Sequence, residues 1–190
     1  MGWVLGFGGL AFCVLLAEGS ANEWAAVYLR ELGASEALAA AGVALFLGAM
    51  TVGRLAGDHI RQRVGAAPLV RCAALLAASG LGLALAVRHP FAGLAGYVLL
   101  GLGLSVIFPV MLGEAAHRAG AEGGSPAGTV ARICTIAYLG SFLGPGLIGV
   151  LATAADLRTA LLLPVATMIV AAAGAGLLRR RAARIVPLRG

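Results

Sequence analysis

Six long apolar stretches, parted by short polar segments, run through the chain and set the first reading. A helix needs about 20 mainly apolar residues to cross ~30 Å of hydrocarbon. Candidate spans of that kind fall at about 3–29, 36–55, 68–87, 91–112, 126–151 and 157–178. The second is apolar only over 38–52 and borrows its flanks to reach both interfaces. The connections run from a few residues to about 16, too short to hold a soluble domain between spans. Ser125-Pro126 reads as a helix start, a hydroxyl cap followed by proline at the first helical position. Residues 1–17 lack a basic leader region, and their apolar run outlasts a signal peptide, so the first stretch is read as a retained span. The pattern predicts an all-α integral membrane protein, a single six-helix transmembrane bundle over residues 1–190.

Composition agrees and removes other classes. Apolar residues make up 61% of the 190 and charged residues 12%, against roughly 45–50% and 25% in soluble domains. Mean hydropathy is +0.97. So few charges cannot cover so much apolar surface in water, and the lipid bilayer is the expected partner. Disorder and a disulfide scaffold are excluded. The net charge of +6 does not point to nucleic acid, because the basic residues sit between apolar stretches without interleaved aromatics. Cys13, Cys72 and Cys134 fall in separate spans and read as small packing residues.

Arginine placement orients the bundle. With the N-terminus inside and the spans threaded alternately, ten arginines lie on the inner side, among them Arg54, Arg61, Arg63, Arg71, Arg118 and the Arg179–Arg181 run. Only Arg30, Arg88 and Arg158 lie outside, and Arg132 falls within the fifth span. This bias predicts that both termini are cytoplasmic. The terminal arginine run is also a candidate contact for anionic lipid head groups.

A shift of 92 residues lays the second span over the fifth. Phe46-Leu47-Gly48-Ala49 meets Tyr138-Leu139-Gly140-Ser141, and Leu55-Ala56-Gly57 meets Leu147-Ile148-Gly149. The shift maps three spans onto three, and an odd number per copy inverts the second copy across the membrane. An inverted 3+3 repeat is a construction principle of secondary transporters. Arg54 and Asp58 then correspond to Gly146 and Val150, so the charges stand on the inner side only.

The segment after the second span reads Gly53-Arg54-Leu55-Ala56-Gly57-Asp58-His59-Ile60-Arg61-Gln62-Arg63-Val64-Gly65. Taken by itself it is a positive cytoplasmic loop with a glycine turn. Gly53 and Gly57 offer a small-xxx-small face to a neighbouring helix. Asp58 is placed to pair with an arginine or cap the next helix, and Arg61 and Arg63 to reach carboxylates or helix ends. Its form, Gly-Arg-x-x-Gly-Asp-(x)4-Arg-x-Gly, resembles the loop motif of the major facilitator superfamily, in the looser version of the C-terminal half. Three further segments resemble a bacterial branch near the fucose permeases. Residues 18–29 look like its seventh helix, 101–109 its tenth and 138–145 its eleventh, although Glu23 stands where aspartate is expected.

The resemblance implies half of a major facilitator fold. In that family the solute path lies between two six-helix bundles that rock by alternating access. The chain is thus expected to be a fragment or split half that works with an N-terminal six-helix half or a second copy. Its expected role is transport of a small solute, as a symporter or antiporter probed first for proton coupling. A sugar is the class the branch implies, with drug-like or amphipathic solutes open. The alternative is a channel or a non-transporting partner subunit.

The resemblance makes the first helix cavity-lining and directs attention to intramembrane polar residues. Glu18 lies about 15 residues, roughly 22 Å, into the first span. An ionised carboxylate there must face a cavity, find a partner or be protonated. Glu18 is a candidate for proton coupling or solute binding, with Asn22 a polar neighbour one turn on; the other reading is a carboxylate bonded to an adjacent helix for packing. Glu23, Tyr28, Ser105 and Tyr138 complete the candidate set, although Trp24 and Tyr28 also fit interface anchors. Glu114 and Arg132 form a candidate inner gate pair, with snorkelling of Arg132 as the alternative. Pro109, Gly144 and Pro145 are candidate bends.

Enzyme chemistry is not expected. Asp58 and Asp156 are both read as loop residues, no G-x-S-x-G, H-E-x-x-H or P-loop occurs, and the three histidines fall on opposite sides of the membrane. No cofactor or metal is expected.

Overall fold

The structure, a computed structural model, describes residues 2–178. The terminal arginines from Arg179 onward lie outside the described residues. The described chain is helical, in the order α1 (Gly2–Glu31), α2 (Glu36–Val64), α3 (Ala66–Val87), α4 (Pro90–Ala121), α5 (Pro126–Ala154), α6 (Leu157–Ala160) and α7 (Leu162–Gly174), closed by a 3-10 turn at Ala175–Leu178. Six helices, counting Leu157–Leu178 as one, are long and apolar enough to cross a membrane.

Local chemistry sets the helix starts. The Ser125 hydroxyl accepts from the Gly128 N–H at 3.1 Å with Pro126 in the first turn, as the sequence predicts. Ser35 caps α2 through the Leu38 N–H, His89 caps α4 with Pro90 following, and Asp156 accepts from the Thr159 N–H at 2.7 Å. The sixth span is interrupted at Leu161. Pro164 has no N–H to give the carbonyl four residues back, so the chain restarts a helix with proline in its first turn.

Two boundaries correct the sequence reading: α4 runs on to Ala121 rather than about 112, and α2 overruns in the same way. Helix α2 does not stop near residue 55 but continues to Val64, so all of the expected loop except Gly65 is helical. Arginine and alanine favour helix, and charged side chains at a helix end can project toward water. The loss of apolar character marks where the hydrocarbon ends, not where the helix ends. Gly65, at φ 82° and ψ 169°, makes the whole turn into α3. Asp58 therefore sits within a helix and does not cap α3, whose start has no side-chain cap.

Packing follows the repeat. Helix α1 lies along α5, and α2 along α4; α3 packs on α4 and on α7, and α7 also on α1. Exchanging α1 with α4, α2 with α5 and α3 with α6–α7 returns the main packed pairs. Small residues permit both close seams. A methyl on Gly144 would stand 2.7 Å from the Leu16 carbonyl oxygen, and one on Gly57 2.6 Å from Val106 Cγ1. Phe7, Tyr28, Leu81, Tyr97, Leu100 and Ile107 fill the centre from α1, α3 and α4. By contrast, α2 and α5 leave long apolar faces open, with Leu55 81% and Phe142 82% exposed.

Candidate functional site

A cavity of about 480 Å³ opens between α1, α2, α4 and α5. Leu15 and Glu18 enter it from α1, Arg54, Gly57, Asp58 and Arg61 from α2, Leu104, Ser105, Phe108 and Pro109 from α4, and Tyr138 from α5. The polar wall comes mainly from α2. Arg54, Asp58 and Arg61 fall at i, i+4 and i+7 and so share one helical face. A second cavity, about 730 Å³, shares Asp58 and Arg61 and continues past Gly65, Pro68, Glu114 and Leu178.

Two ion pairs tie this strip to the other helices. Arg54 stands 3.7 Å from Glu18, too long for a hydrogen bond, with side-chain exposures of 57% and 23%. A pair so long and open contributes under about 1 kcal/mol, so it is easily exchanged. Of the three outlets that its depth allows, Glu18 thus has two, a counter-ion and a cavity. Arg61 is held more firmly: its guanidinium donates to Glu114 Oε1 at 2.7 Å. Ser105 is buried, its hydroxyl donating to the Leu102 carbonyl at 2.6 Å, where Gly53 brings α2 against it. At Pro109 the carbonyl of Ser105 loses its helical donor inside an otherwise continuous α4.

The other expected residues divide. Asn22 is exposed and stands outside this cavity. Glu23 lines a separate cavity of about 440 Å³ with Trp24, Val27, Ser141, Phe142 and Pro145. Trp24 donates its indole N–H to the Pro145 carbonyl at 3.1 Å, pinning α1 to α5. Tyr28 is buried and donates to the Ala84 carbonyl at 3.3 Å; it is a core residue rather than part of the path, because α3 covers its face of α1. Gly144 lies in the α1–α5 seam. Arg63 and Gly65 are exposed at the end of α2.

The expected Glu114–Arg132 pair does not form. Glu114 faces Arg61, whereas Arg132 is exposed on α5 beside Val4, Leu5, Thr135 and Ile136. The two were matched by depth, but one belongs to the α2–α4 seam and the other to the far edge of α5. Sequence reasoning also missed Arg54 as the partner of Glu18. The 54, 58, 61 spacing carried that signal once the segment was taken as helix. A further cluster joins the start of α1 to the end of α4: Trp3 donates to Glu122 at 3.0 Å, Arg118 donates to Glu122 at 2.9 Å, and the Arg118 guanidinium lies 4.4 Å from the Trp3 ring centre. Arg118 first, then Trp3, holds the Glu122 carboxyl below the usual carboxylate range. Among the described residues no three His, Cys, Asp or Glu side chains gather as metal ligands.

No protein-family model matches the chain. It is 38% identical over 161 residues to an uncharacterized MFS-type transporter of Yersinia pestis, covering 84% of this chain and 41% of that protein. It is 33% identical over 171 residues to the membrane protein MosC of Rhizobium meliloti, covering 89% and 41%. An uncharacterized transporter of Sinorhizobium fredii is 37% identical over 145 residues, covering 75% and 37%. The chain thus spans about two fifths of the length of these relatives. Among solved structures, the major facilitator transporter FucP in its outward conformation superposes with a TM-score of 0.82 at 18% identity, covering 94% of this chain and 42% of FucP. A variant of FucP, the E. coli fucose:proton symporter, gives 0.83 at 17%, covering 94% and 43%.

Proposed function

Since the chain belongs to the major facilitator superfamily, we propose that it supplies the C-terminal six-helix wall of a proton-coupled secondary transporter. The observation that carries this reading is the cavity on which Glu18, Arg54, Asp58, Ser105 and Tyr138 converge, open on one side of the bundle. A second six-helix wall, from an N-terminal half or another copy, closes the path over that side. The apolar faces of α2 and α5 flank the opening and suit such an interface.

In this mechanism Glu18 holds the coupling proton. Deprotonated, it attracts Arg54; protonated, it releases Arg54 toward Asp58 one turn along α2, or toward the solute. The Arg61–Glu114 pair fixes α2 to α4 so that the two move as one body when the halves rock. Solute hydroxyls fit Ser105, Asp58 and the Glu18 carboxyl, with Tyr138 and Phe108 offering faces for a sugar ring. The inner side is the cytoplasm of a bacterial cell membrane, as the arginine bias supports.

The test is uptake by the transporter that contains this chain, reconstituted in vesicles with a radiolabelled sugar panel. Glu18→Gln is expected to abolish uptake driven by a proton gradient while leaving solute exchange at equal concentrations. Retained coupling with an unchanged pH profile would reject the role of Glu18. Unsaturable flux would favour the channel reading instead.

A further inference from the structure

We propose that the groove between the first turns of α1 and α5 seats an anionic phospholipid, with its phosphate on Arg132 and an acyl chain along Val4, Leu5 and Ile136. The groove holds about 390 Å³ and is lined by Val4, Leu5, Arg132, Thr135 and Ile136. The Thr135 hydroxyl already donates to the Ala131 carbonyl at 3.0 Å. Arg132 is therefore the group free to receive an anion. It is exposed, and among the described residues no hydrogen bond or ion pair engages its guanidinium.

Depth and direction name the occupant. Arg132 lies six residues after Pro126, or about 9 Å along the helix at ~1.5 Å per residue. A cation so close to a span end rises to the headgroup layer and leaves its stem among acyl chains. At ~100° per residue, Arg132 also points about 120° away from Tyr138, which faces the cavity between α1, α2, α4 and α5. The groove therefore opens at the edge of the bundle rather than into that cavity. On this edge Ile136 packs against Gly8, closing the groove floor where α5 meets α1. A guanidinium matches phosphate oxygens in a two-point fork, and an apolar trough below it matches a hydrocarbon tail. Neither a free ion nor a soluble metabolite presents both. A net negative lipid is favoured because a choline head would bring its own cation beside Arg132.

The experiment is native mass spectrometry of the purified protein titrated with phosphatidylglycerol or phosphatidylcholine. The wild type is expected to retain phosphatidylglycerol in preference, and Arg132→Gln to cut that preference about tenfold, the scale of one charged hydrogen bond. Arg132→Lys is expected to keep part of it. Leu5→Trp, which fills the trough and leaves the charge, should weaken retention of both lipids. Arg179→Gln, Arg180→Gln and Arg181→Gln together should leave the preference in place. An unchanged preference in Arg132→Gln, or a preference abolished only by the three terminal substitutions, would overturn the proposal.

Discussion

Arg61 and Glu114 meet with the carboxylate side chain only 10% exposed, so removing either group deletes a charged hydrogen bond from the α2–α4 seam. Glu114→Gln or Arg61→Gln should each lower stability by about 1.5–3 kcal/mol, the range for a charged hydrogen bond. The double variant should fall short of the sum, as expected for groups in contact. Exchanging the charges, as Glu114→Arg with Arg61→Glu, should recover part of the loss, whereas Glu114→Arg with Arg132→Glu should not. Unfolding in detergent with a graded denaturant measures all of these, and strict additivity would sink the pairing. At this scale the sequence disclosed types better than partners. Glu18 was legible because its depth forces a cavity or a counter-ion. Tyr28 was not, because whether α3 covers that face of α1 is a packing fact. Glu114 and Arg132 share a depth but not a seam, and depth is all that a hydropathy pattern encodes.

At the scale of the element, the continuation of α2 to Val64 is what brings Arg54, Asp58 and Arg61 onto one face. Its counterpart is the single-residue turn at Gly65, whose backbone at φ 82° and ψ 169° is open essentially to glycine alone. Gly65→Ala should cost about 1–3 kcal/mol although nothing lies near enough for the new methyl to strike. The loss would come from strain and should show as a lower melting temperature. An Ala variant as stable as wild type would mean that the turn relaxes freely. The capped starts at Ser125 and Pro126 were readable locally, since both residues act on their own helix. The end of α2 was not, because hydropathy reports the edge of the hydrocarbon and helix propensity carries on past it.

For the whole molecule, the six spans and their inverted pairing were legible from the apolar stretches and the 92-residue shift. Which faces stay open was not, since that depends on α1, α3 and α4 taking the centre. The two ends of the bundle are fastened differently. At one end Trp3, Arg118 and Glu122 join α1 to α4. The carboxyl of Glu122 is held below its ordinary range, so its stabilisation is complete above that range and fades as pH falls through the lowered value. Wild type should therefore lose melting temperature on acidification below about pH 4 more steeply than Glu122→Gln. Equal slopes, followed by Trp3 fluorescence, would show that the cluster does not couple helix ends to pH.

The repeat places Gly146, Val150 and Thr153 on α5 where α2 carries Arg54, Asp58 and Arg61. Two seams of like shape thus differ in the ion pairs that the α2 side adds to its packing. Around α2 close packing is joined by ion pairs. The open Arg54–Glu18 pair weakens as dissolved ions crowd in, within a screening length of ~8 Å at physiological salt, while the Arg61–Glu114 pair is largely shielded. Around α5 apolar contact is joined by the neutral hydrogen bond from Trp24 to the Pro145 carbonyl, and ions of ordinary strength barely alter either. The bundle is symmetric in its backbone but polarised in its response, sensitive to the electrolyte on one face of the membrane and nearly deaf to it on the other.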